Sequence, residues 1–310
     1  MVSDAQIEAA VSQLRAGGLV AFATETVYGL GADATNEAAL RRLFATKGRP
    51  ADHPVIVHIA SVECLAAWAR NIPEAARKLA ERFWPGPLTL ILQRQPNVSL
   101  LVTGGQDSVG LRSPSHPVAQ QLLAAFDGAL AAPSANRYGH VSPTSAQHVR
   151  EEFSGGEVLI LDGGPCAIGI ESSIVGFDNG RPRVLRPGSI SAAQIEAAVG
   201  GPLATGLTRA PRVPGSVERH YAPRTPAEWV ESTQLAARAA HCRAAGSRVA
   251  ILSCDDKADS AAEDYARNLY ARLRQLDSEG AERILIEAVP STSAWVAVSD
   301  RLRRASGTGA

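Results

Sequence analysis

Two short polar segments of this chain contain the residue types of a phosphate or carboxylate site. They are Lys47-Gly48-Arg49-Pro50 and, far downstream, Ser134-Ala135-Asn136. The chain has 28 Arg but only three Lys, so a Lys beside an Arg indicates a need for a compact point charge next to a planar guanidinium. A helix C-terminus would also favour Lys47, but it does not explain the sharp Gly-Arg-Pro continuation. The first segment therefore predicts an anion site.

The second segment follows a run of apolar residues that predicts a strand. Ligand groups in α/β proteins often lie where a strand ends, so Ser134 and Asn136 are candidates for binding. A simple turn after the strand explains them equally well. The two readings stay open on these residues alone.

Other polar residues have plain structural explanations when taken singly. Arg112 and Arg186 end predicted strands, as surface charges often do, and His58 alternates with apolar neighbours like a core histidine. His220-Tyr221 is different because it lies in a proline-rich stretch without periodicity. An aromatic and cationic pair there predicts that the stretch docks against another part of the protein.

A glycine pattern at residues 29–34 resembles a dinucleotide fingerprint but lacks its setting. The fingerprint opens a helix directly after a strand. Here residues 24–28 lie between the predicted strand and the glycines, and Asn36 marks the next helix start. A tight turn that aims Thr24, Glu25 and Thr26 is favoured. The sequence has no P-loop, nucleophile elbow or metal-ligand spacing.

Composition places the chain among ordinary soluble proteins. Its 310 residues suit two domains, and its formal net charge is +0. A bulk nucleic-acid binder would be more basic, so any RNA contact should be local. The four Cys show no paired spacing and indicate free thiols in a reducing compartment. The N-terminus lacks a signal-peptide pattern and no apolar run approaches a membrane span, so we expect a cytoplasmic protein.

Apolar runs between turn residues predict strands, and capped segments with helical spacing predict helices. Ser3 with Gln6 forms a capping box, and Asn36 and Ser191 are further N-cap candidates. The predicted strands span residues 19–22, 55–59, 88–92, 108–112, 129–132, 158–161, 172–177, 182–185, 249–252 and 284–286. The predicted helices span residues 3–15, 36–46, 73–84, 191–199, 260–276 and 294–304, with others after Ser61 and within 114–126.

These elements divide the chain into three parts. Residues 1–200 form a first α/β domain, and residues 201–226 form a proline-rich linker or lid. Residues 227–310 alternate strand and helix, which predicts a small α/β domain with a parallel sheet.

Taken together, the motifs resemble the YrdC-like threonylcarbamoyl-AMP synthases. The resemblance rests on the two opening segments and on residues 24–31, 53–58, 83–89, 171–173 and 185–188. The linker, which ends in Arg219-His220-Tyr221-Ala222-Pro223, and the trailing domain resemble the longer, two-domain Sua-type branch. The resemblance covers residues 5–305. It implies a twisted mixed sheet with flanking helices and an open cleft, joined by the linker to a small Rossmann-like domain.

The resemblance also implies a reaction. L-threonine, bicarbonate and ATP give threonylcarbamoyl-adenylate and pyrophosphate, with Mg2+ bridged through the ATP phosphates rather than held in a dedicated metal site. The product would pass to the tRNA threonylcarbamoyl-transfer complex for modification of ANN-decoding tRNA, and weak tRNA binding stays open.

The same resemblance assigns residues to the two substrates. Lys47 and Arg49 would be catalytic. The implied ATP site comprises Lys47, Arg49, His53, Ser108, Ser134, Asn136, Ser142 and Arg186. The implied threonine site comprises Thr26, His58, Arg112, Ala132 and Ser172, with Ala132 contributing its backbone. His220 and Tyr221 would form a lid.

The chain departs from the family pattern at several positions. The replacements are Ala23 for Pro, His53 for Asn, Ser108 for Thr, Ala132 for Thr, and Ser216-Val217-Glu218 for a bulkier, basic linker core. Two alternatives remain. One is a carbamoyl-adenylate-forming module of the hydrogenase-maturation type, and the other is an RNA-binding factor without chemistry.

Overall fold

The computed structural model describes residues 2–205, 211–215 and 219–307. The helices are α1 (Asp4–Arg15), α2 (Glu37–Lys47), α3 (Leu65–Trp68), α4 (Glu74–Phe83), α5 (Leu100–Thr103), α6 (Pro117–Phe126), α7 (Ala146–Glu152), α8 (Ala192–Val199), α9 (Leu235–Ala244), α10 (Ala262–Ser278) and α11 (Val296–Ser306). The strands are β1 (Val20–Phe22), β2 (Gly29–Asp33), β3 (Ile56–His58), β4 (Leu88–Gln93), β5 (Ser108–Arg112), β6 (Leu130–Ala131), β7 (Leu159–Leu161), β8 (Ser173–Asp178), β9 (Arg181–Arg186), β10 (Ala227–Val230), β11 (Val249–Leu252) and β12 (Arg283–Glu287).

The first nine strands form one mixed sheet within the described ranges, in the order β7-β1-β2-β6-β3-β5-β4-β8-β9. At the centre of this sheet, β3 runs parallel to β5 and places His58 opposite Arg112. Strand β6 runs antiparallel to both β2 and β3, so the chain leaves the sheet beside them toward Ser134. Polar residues distant in sequence are therefore gathered at the middle of the sheet.

Helices cover both faces of this sheet with apolar side chains. On one face, α1 and α6 bury Leu14 and Leu122 against Phe22 of β1. On the other, α2 and α4 bury residues such as Leu43 and Leu79 in a larger cluster. The predicted capping box of Ser3 and Gln6 starts α1. Burial of these apolar stripes holds the sheet rigid around the polar centre.

The remaining three strands form a separate parallel sheet in the order β10-β12-β11. Helices α10 and α11 pack on it and bury Leu269, Leu302 and Trp295. This confirms the small α/β unit expected at the C-terminal end. Near the C-terminal end of the linker, the Ala222 amide donates to the Gly139 carbonyl of the first unit at 2.9 Å.

The structure corrects several sequence-based expectations. Gly29–Asp33 is strand β2 rather than part of a loop. Its glycines do not open a helix, which agrees with the rejection of the dinucleotide pattern. Ser61 makes no side-chain cap, and it precedes a 3-10 turn that leads into the short helix α3. Helices α5, α7 and α9 and strand β10 were not predicted, since each is short or weakly periodic.

Candidate active site

A cleft lies at the centre of the large sheet, where β2, β3, β5 and β6 end near the linker. It holds about 560 Å³ of empty space, part of it open to solvent. Its lining includes the predicted site residues Thr26, Arg49, His58, Arg112, Ala132, Ser134, Ser172, Arg186, His220 and Tyr221. The topology thus brings most of the predicted residues to one place.

Arg112 lies at one wall of the cleft and is 4% exposed. It donates to Thr26 Oγ1 at 2.9 Å, to the Gly86 carbonyl at 3.2 Å and to Glu25 Oε1 at 2.6 Å. Glu25 also accepts from the Ser115 amide at 3.1 Å. Glu25 therefore holds the guanidinium in a fixed orientation. The sequence had predicted only that Glu25 lies in the turn with Thr24 and Thr26.

His58 faces the same wall as a neutral side chain. It is 3% exposed, and within the described ranges its Nδ1 has no hydrogen-bond partner. Burial and the neighbouring Arg112 charge hold the pKa of His58 well below its ordinary value. The edge of the imidazole meets Phe22. His58 can therefore offer a hydrogen bond to a ligand without adding charge.

Lys47 lies behind the cleft rather than in its lining. Gly48 adopts a left-handed conformation with φ 62° at the end of α2, which turns the chain sharply after Lys47. The Lys47 ammonium donates to the carbonyls of Ser134 and Asn136 and so ties the two opening segments together. Burial, followed by the nearby Arg49 charge, lowers the pKa of Lys47 well below its ordinary value. An anion nearby would favour its charged form.

Arg49 reaches the cleft and a smaller adjoining pocket. One of its Nη atoms donates to the Pro54 carbonyl at 2.8 Å, while Nε has no partner among the residues described. Burial lowers the pKa of Arg49 to about 10. The second pocket also contains His53, whose Nδ1 lies 3.0 Å from the Tyr138 hydroxyl. Tyr138, which the sequence had not singled out, lies near Arg49 as well.

Arg186 forms the opposite wall together with Ser172. Its guanidinium donates to the Ser172 carbonyl at 2.9 Å and to Ser172 Oγ at 3.1 Å. Another Nη atom donates to the Pro214 carbonyl at 3.0 Å. Arg186 thus links the sheet to the linker. The sequence shows only that Arg186 ends a predicted strand, so this contact could not be predicted from it.

Four of the described linker residues lie at this wall. Pro214, Gly215, His220 and Tyr221 all line the cleft, and Tyr221 is 1% exposed. The His220 ring meets that of Tyr221 edge-on at 4.2 Å, and burial lowers the pKa of His220 to about 3. The predicted docking of the linker is therefore seen at these residues, whereas Ser216-Val217-Glu218 lie outside the described residues.

Three other predicted residues do not line the cleft. Asn136 uses its amide to hold the carbonyls of Arg137 and His140, and Ser142 donates to Glu171 Oε1 at 2.6 Å. Ser108 begins β5, at the end of the strand away from Arg112. It shares a strand face with Arg112 but lies four residues from it, about 13 Å along the strand. Their assigned roles stay predictions.

The carboxylates near the cleft are occupied by protein partners. Glu25 pairs with Arg112, and Glu171 pairs with Arg301. In the part of the chain that the structure describes, no group of three or more His, Cys, Asp or Glu side chains is placed to hold a metal ion. These residues do not fit a protein-bound cation, so a metal that enters with a nucleotide stays a prediction. Within the same ranges, no helix is long and apolar enough to cross a membrane.

Comparison with protein families gives two matches. A family described as "Telomere recombination" matches residues 12–188, and one described as "Threonylcarbamoyl-AMP synthase, C-terminal domain" matches residues 190–307. A threonylcarbamoyl-AMP synthase of Pyrococcus abyssi is 42% identical over 99% of this chain and 95% of its own. One of Bacillus subtilis is 39% identical over 98% and 94%.

Solved structures give the same picture. Sua5 of P. abyssi in complex with L-threonine superposes with a TM-score of 0.90 at 40% identity, covering 99% of this chain and 96% of that one. A variant of the same protein, with adjacent histidine and tyrosine replaced by alanine, has a TM-score of 0.89 at 40% identity and covers 97% and 93%. The predicted two-part architecture is confirmed, while the exact domain bounds stay predictions.

Proposed function

Because this chain belongs to the threonylcarbamoyl-AMP synthase family, we propose that its cleft converts L-threonine, bicarbonate and ATP to threonylcarbamoyl-AMP, pyrophosphate and water. The observation that carries this proposal is the convergence of three buried arginines, Arg49, Arg112 and Arg186, on one cleft. A reaction that joins a carboxylate-bearing amino acid to a triphosphate requires fixed cations for both anions.

The Arg112 wall is the proposed threonine site. The guanidinium is held by Glu25 and Gly86, so it is oriented before the substrate arrives. Threonine's carboxylate would lie against it, with the Thr26 hydroxyl and the His58 imidazole nearby and the Ser172 hydroxyl contributed from the opposite wall. Ala132 would contribute only backbone atoms.

The Arg49 and Arg186 side of the cleft is the proposed ATP site. Threonine's amine attacks the carbon of bicarbonate with loss of water, or that of CO2 with loss of a proton, and the resulting carbamate attacks the α-phosphorus and displaces pyrophosphate. The second step brings two anions together, so Lys47 and Arg49 would reduce the repulsion and stabilise charge on the phosphates. Ser134 and Asn136 would complete this side, with His53, Ser108 and Ser142 as further predicted contacts.

A divalent cation, Mg2+, would be carried on the phosphate oxygens and would neutralise charge on the triphosphate. The two carboxylates named at the cleft, Glu25 and Glu171, are already paired with arginines, and this supports a metal held by the nucleotide. The linker residues His220 and Tyr221 would act as a lid that excludes water from the hydrolysable product.

The product would be handed to the tRNA threonylcarbamoyl-transfer complex, with weak tRNA binding as a further prediction. The near-zero net charge supports a local RNA contact over a broad one. A cytoplasmic location is part of the same proposal.

The decisive experiment is ATP–pyrophosphate exchange with the full chain. We expect exchange that depends on both L-threonine and bicarbonate. Exchange with carbamoyl phosphate in place of these substrates would favour the hydrogenase-maturation chemistry. Folded protein that binds RNA but shows no exchange would favour the non-catalytic alternative, and either result would overturn the proposal.

A further inference from the structure

Glu171 is a buried carboxylate in the cleft wall that two different parts of the molecule hold. It is 7% exposed and immediately precedes Ser172. Ser142 of the first unit donates to Oε1 at 2.6 Å. Tyr270 and Arg301 donate to Oε2 at 2.9 Å and 2.8 Å, and both belong to helices of the C-terminal unit. The C-terminal unit therefore reaches the wall of the cleft itself.

The charge state of Glu171 follows from these partners. Burial alone raises its pKa, but the charges of Arg301 and Arg186 and the hydrogen bonds from Ser142 and Arg301 outweigh burial. The pKa is thus held below its ordinary value and Glu171 is a carboxylate. A buried carboxylate is stable only while its partners are in place, so its position depends on Arg301.

Arg301 also contacts the linker. It is 0% exposed, and its guanidinium carbon lies 5.4 Å from the centre of the Tyr221 ring. The ring of Tyr221 stacks on that of Tyr270 at 5.7 Å with an angle of 29° between the planes. The aromatic lid residue is therefore clamped between the same two side chains that hold Glu171. Tyr221 also has a left-handed φ of 59°, which a bulky residue adopts only when its surroundings fix it.

The contacts of Arg301 extend to the wall of the cleft that we propose binds ATP. Arg301 Nη2 donates to the Glu171 carbonyl at 3.3 Å, and the next carbonyl, that of Ser172, accepts from Arg186. The segment from Glu171 to Ser172 is thus held by a C-terminal arginine at one residue and a cleft arginine at the next. A shift of Glu171 would displace Ser172 and Arg186 with it.

We propose that Arg301 and Tyr270 of the C-terminal unit are positioning residues for adenylate formation. They clamp Glu171 and Tyr221, and thereby set the Ser172–Arg186 wall and the closed place of the linker. This inference rests on the proposed function. On this inference the C-terminal unit helps to position the residues of the active site and does not merely tether the linker.

The test measures kcat and KM for ATP in threonine-dependent exchange with full-length variants. Tyr270→Phe removes one hydroxyl and keeps the stacked ring. Arg301→Lys keeps a charge for Glu171 but loses the planar group over Tyr221, and Arg301→Met loses both. We expect KM for ATP to rise in all three variants. In Arg301→Met we expect kcat/KM to fall about 100-fold, and in Arg301→Lys we expect a smaller fall because the charge is kept.

Arg267→Ala is the matched control. Arg267 donates to the Ala167 carbonyl at 2.8 Å, so it also joins the two units, but it does not touch Glu171 or Tyr221. We expect wild-type KM and kcat in this variant. An equal loss in Arg267→Ala would show that any weakened docking has the same effect, and would overturn the positioning role.

A second measurement does not depend on activity. Arg219 is exposed beside His220, so trypsin cleavage after it reports release of the linker. We expect cleavage about 10-fold faster in Arg301→Met than in wild type, because the Tyr221 clamp is lost. Since Arg301→Met could lose its fold, circular dichroism is recorded for every variant and Tyr270→Phe carries the test in that case.

Wild-type kinetics and wild-type cleavage in folded Tyr270→Phe and Arg301→Lys would overturn the inference. Failure of the proposed function has a different signature, because then the wild-type chain itself shows no threonine-dependent exchange.

Discussion

The cations of the cleft are each held by hydrogen bonds to other parts of the protein. Arg112 is oriented by Glu25, Arg186 by Ser172, and Lys47 by the carbonyls of Ser134 and Asn136. Fixed cations need little rearrangement when an anion arrives, which is what electrostatic catalysis requires. The same bonds give each cation a structural role, so substitutions will affect stability as well as turnover.

Lys47→Ala tests this double role. We expect loss of adenylate formation because the ammonium near the phosphates is removed. We also expect the native fold to persist with stability lowered by about 1–3 kcal/mol, because two backbone carbonyls lose their donor. Exchange assays and urea unfolding measure the two effects. Lys78→Ala, at an exposed pair with Glu74, is the control and should change neither. Retained turnover in folded Lys47→Ala would remove Lys47 from the catalytic assignment.

At the scale of elements, the linker is the part most closely coupled to the site. Gly215 lines both pockets and adopts φ 79°, a conformation that favours glycine. A Cβ on Gly215 would lie 2.2 Å from the Tyr221 hydroxyl oxygen. Since Tyr270 and Arg301 pack against the Tyr221 ring, the linker would have to move instead.

Gly215→Ala should therefore open the linker. We expect a higher KM for ATP and faster hydrolysis of the adenylate, measured by exchange and by product half-life on the enzyme. Gly246→Ala is the control, since Gly246 has φ 87° and no atom within 4 Å of an added Cβ. Both variants should lose about 1 kcal/mol of stability from backbone strain, but only Gly215→Ala should change KM. Equal kinetics in the two would argue against a closed linker.

At the scale of the whole molecule, the two units are joined by buried polar contacts. Arg274 of α10 donates to Glu152 of α7 at 2.9 Å, and Glu152 also accepts from His140 and the Arg137 amide. Burial alone raises the pKa of Glu152, but these hydrogen bonds and the Arg274 charge lower it to about 2. This contact therefore stabilises the joined state at neutral pH.

Arg274→Ala should uncouple the units. Glu152 keeps His140 and the Arg137 amide but loses its arginine countercharge, so we expect a loss of about 3–5 kcal/mol and thermal unfolding in two steps instead of one. Because the folded pKa is lowered from 4.5, the stabilisation is complete above pH 4.5 and is lost as pH falls toward 2. The variant should thus lose less on acidification than wild type. Arg248→Ala, at an exposed pair with Glu282, should leave calorimetric and pH profiles unchanged.

Local signals predicted most of the regular elements. Strand β5 was predicted at its observed residues, and the predicted capping box at Ser3 and the predicted N-cap at Ser191 start α1 and α8. Local sequence patterns failed to predict elements whose structure depends on pairing with distant parts of the chain. Gly29–Asp33 has weak strand propensity but is paired on both sides, by β1 and β6. Strand β10 pairs with β12, which lies far along the chain from it.

The sequence by itself determined the family and the chemistry, because Lys47, Arg49, Ser134 and Asn136 form motifs whose spacing along the chain can be read directly. Only the tertiary structure decided which groups hold them. Glu25 faces Arg112, Lys47 turns to two carbonyls, and Arg301 reaches Glu171 across 130 residues. Ion pairs and hydrogen bonds act over a few ångströms, and packing of the apolar helix faces sets which distant residues come that close.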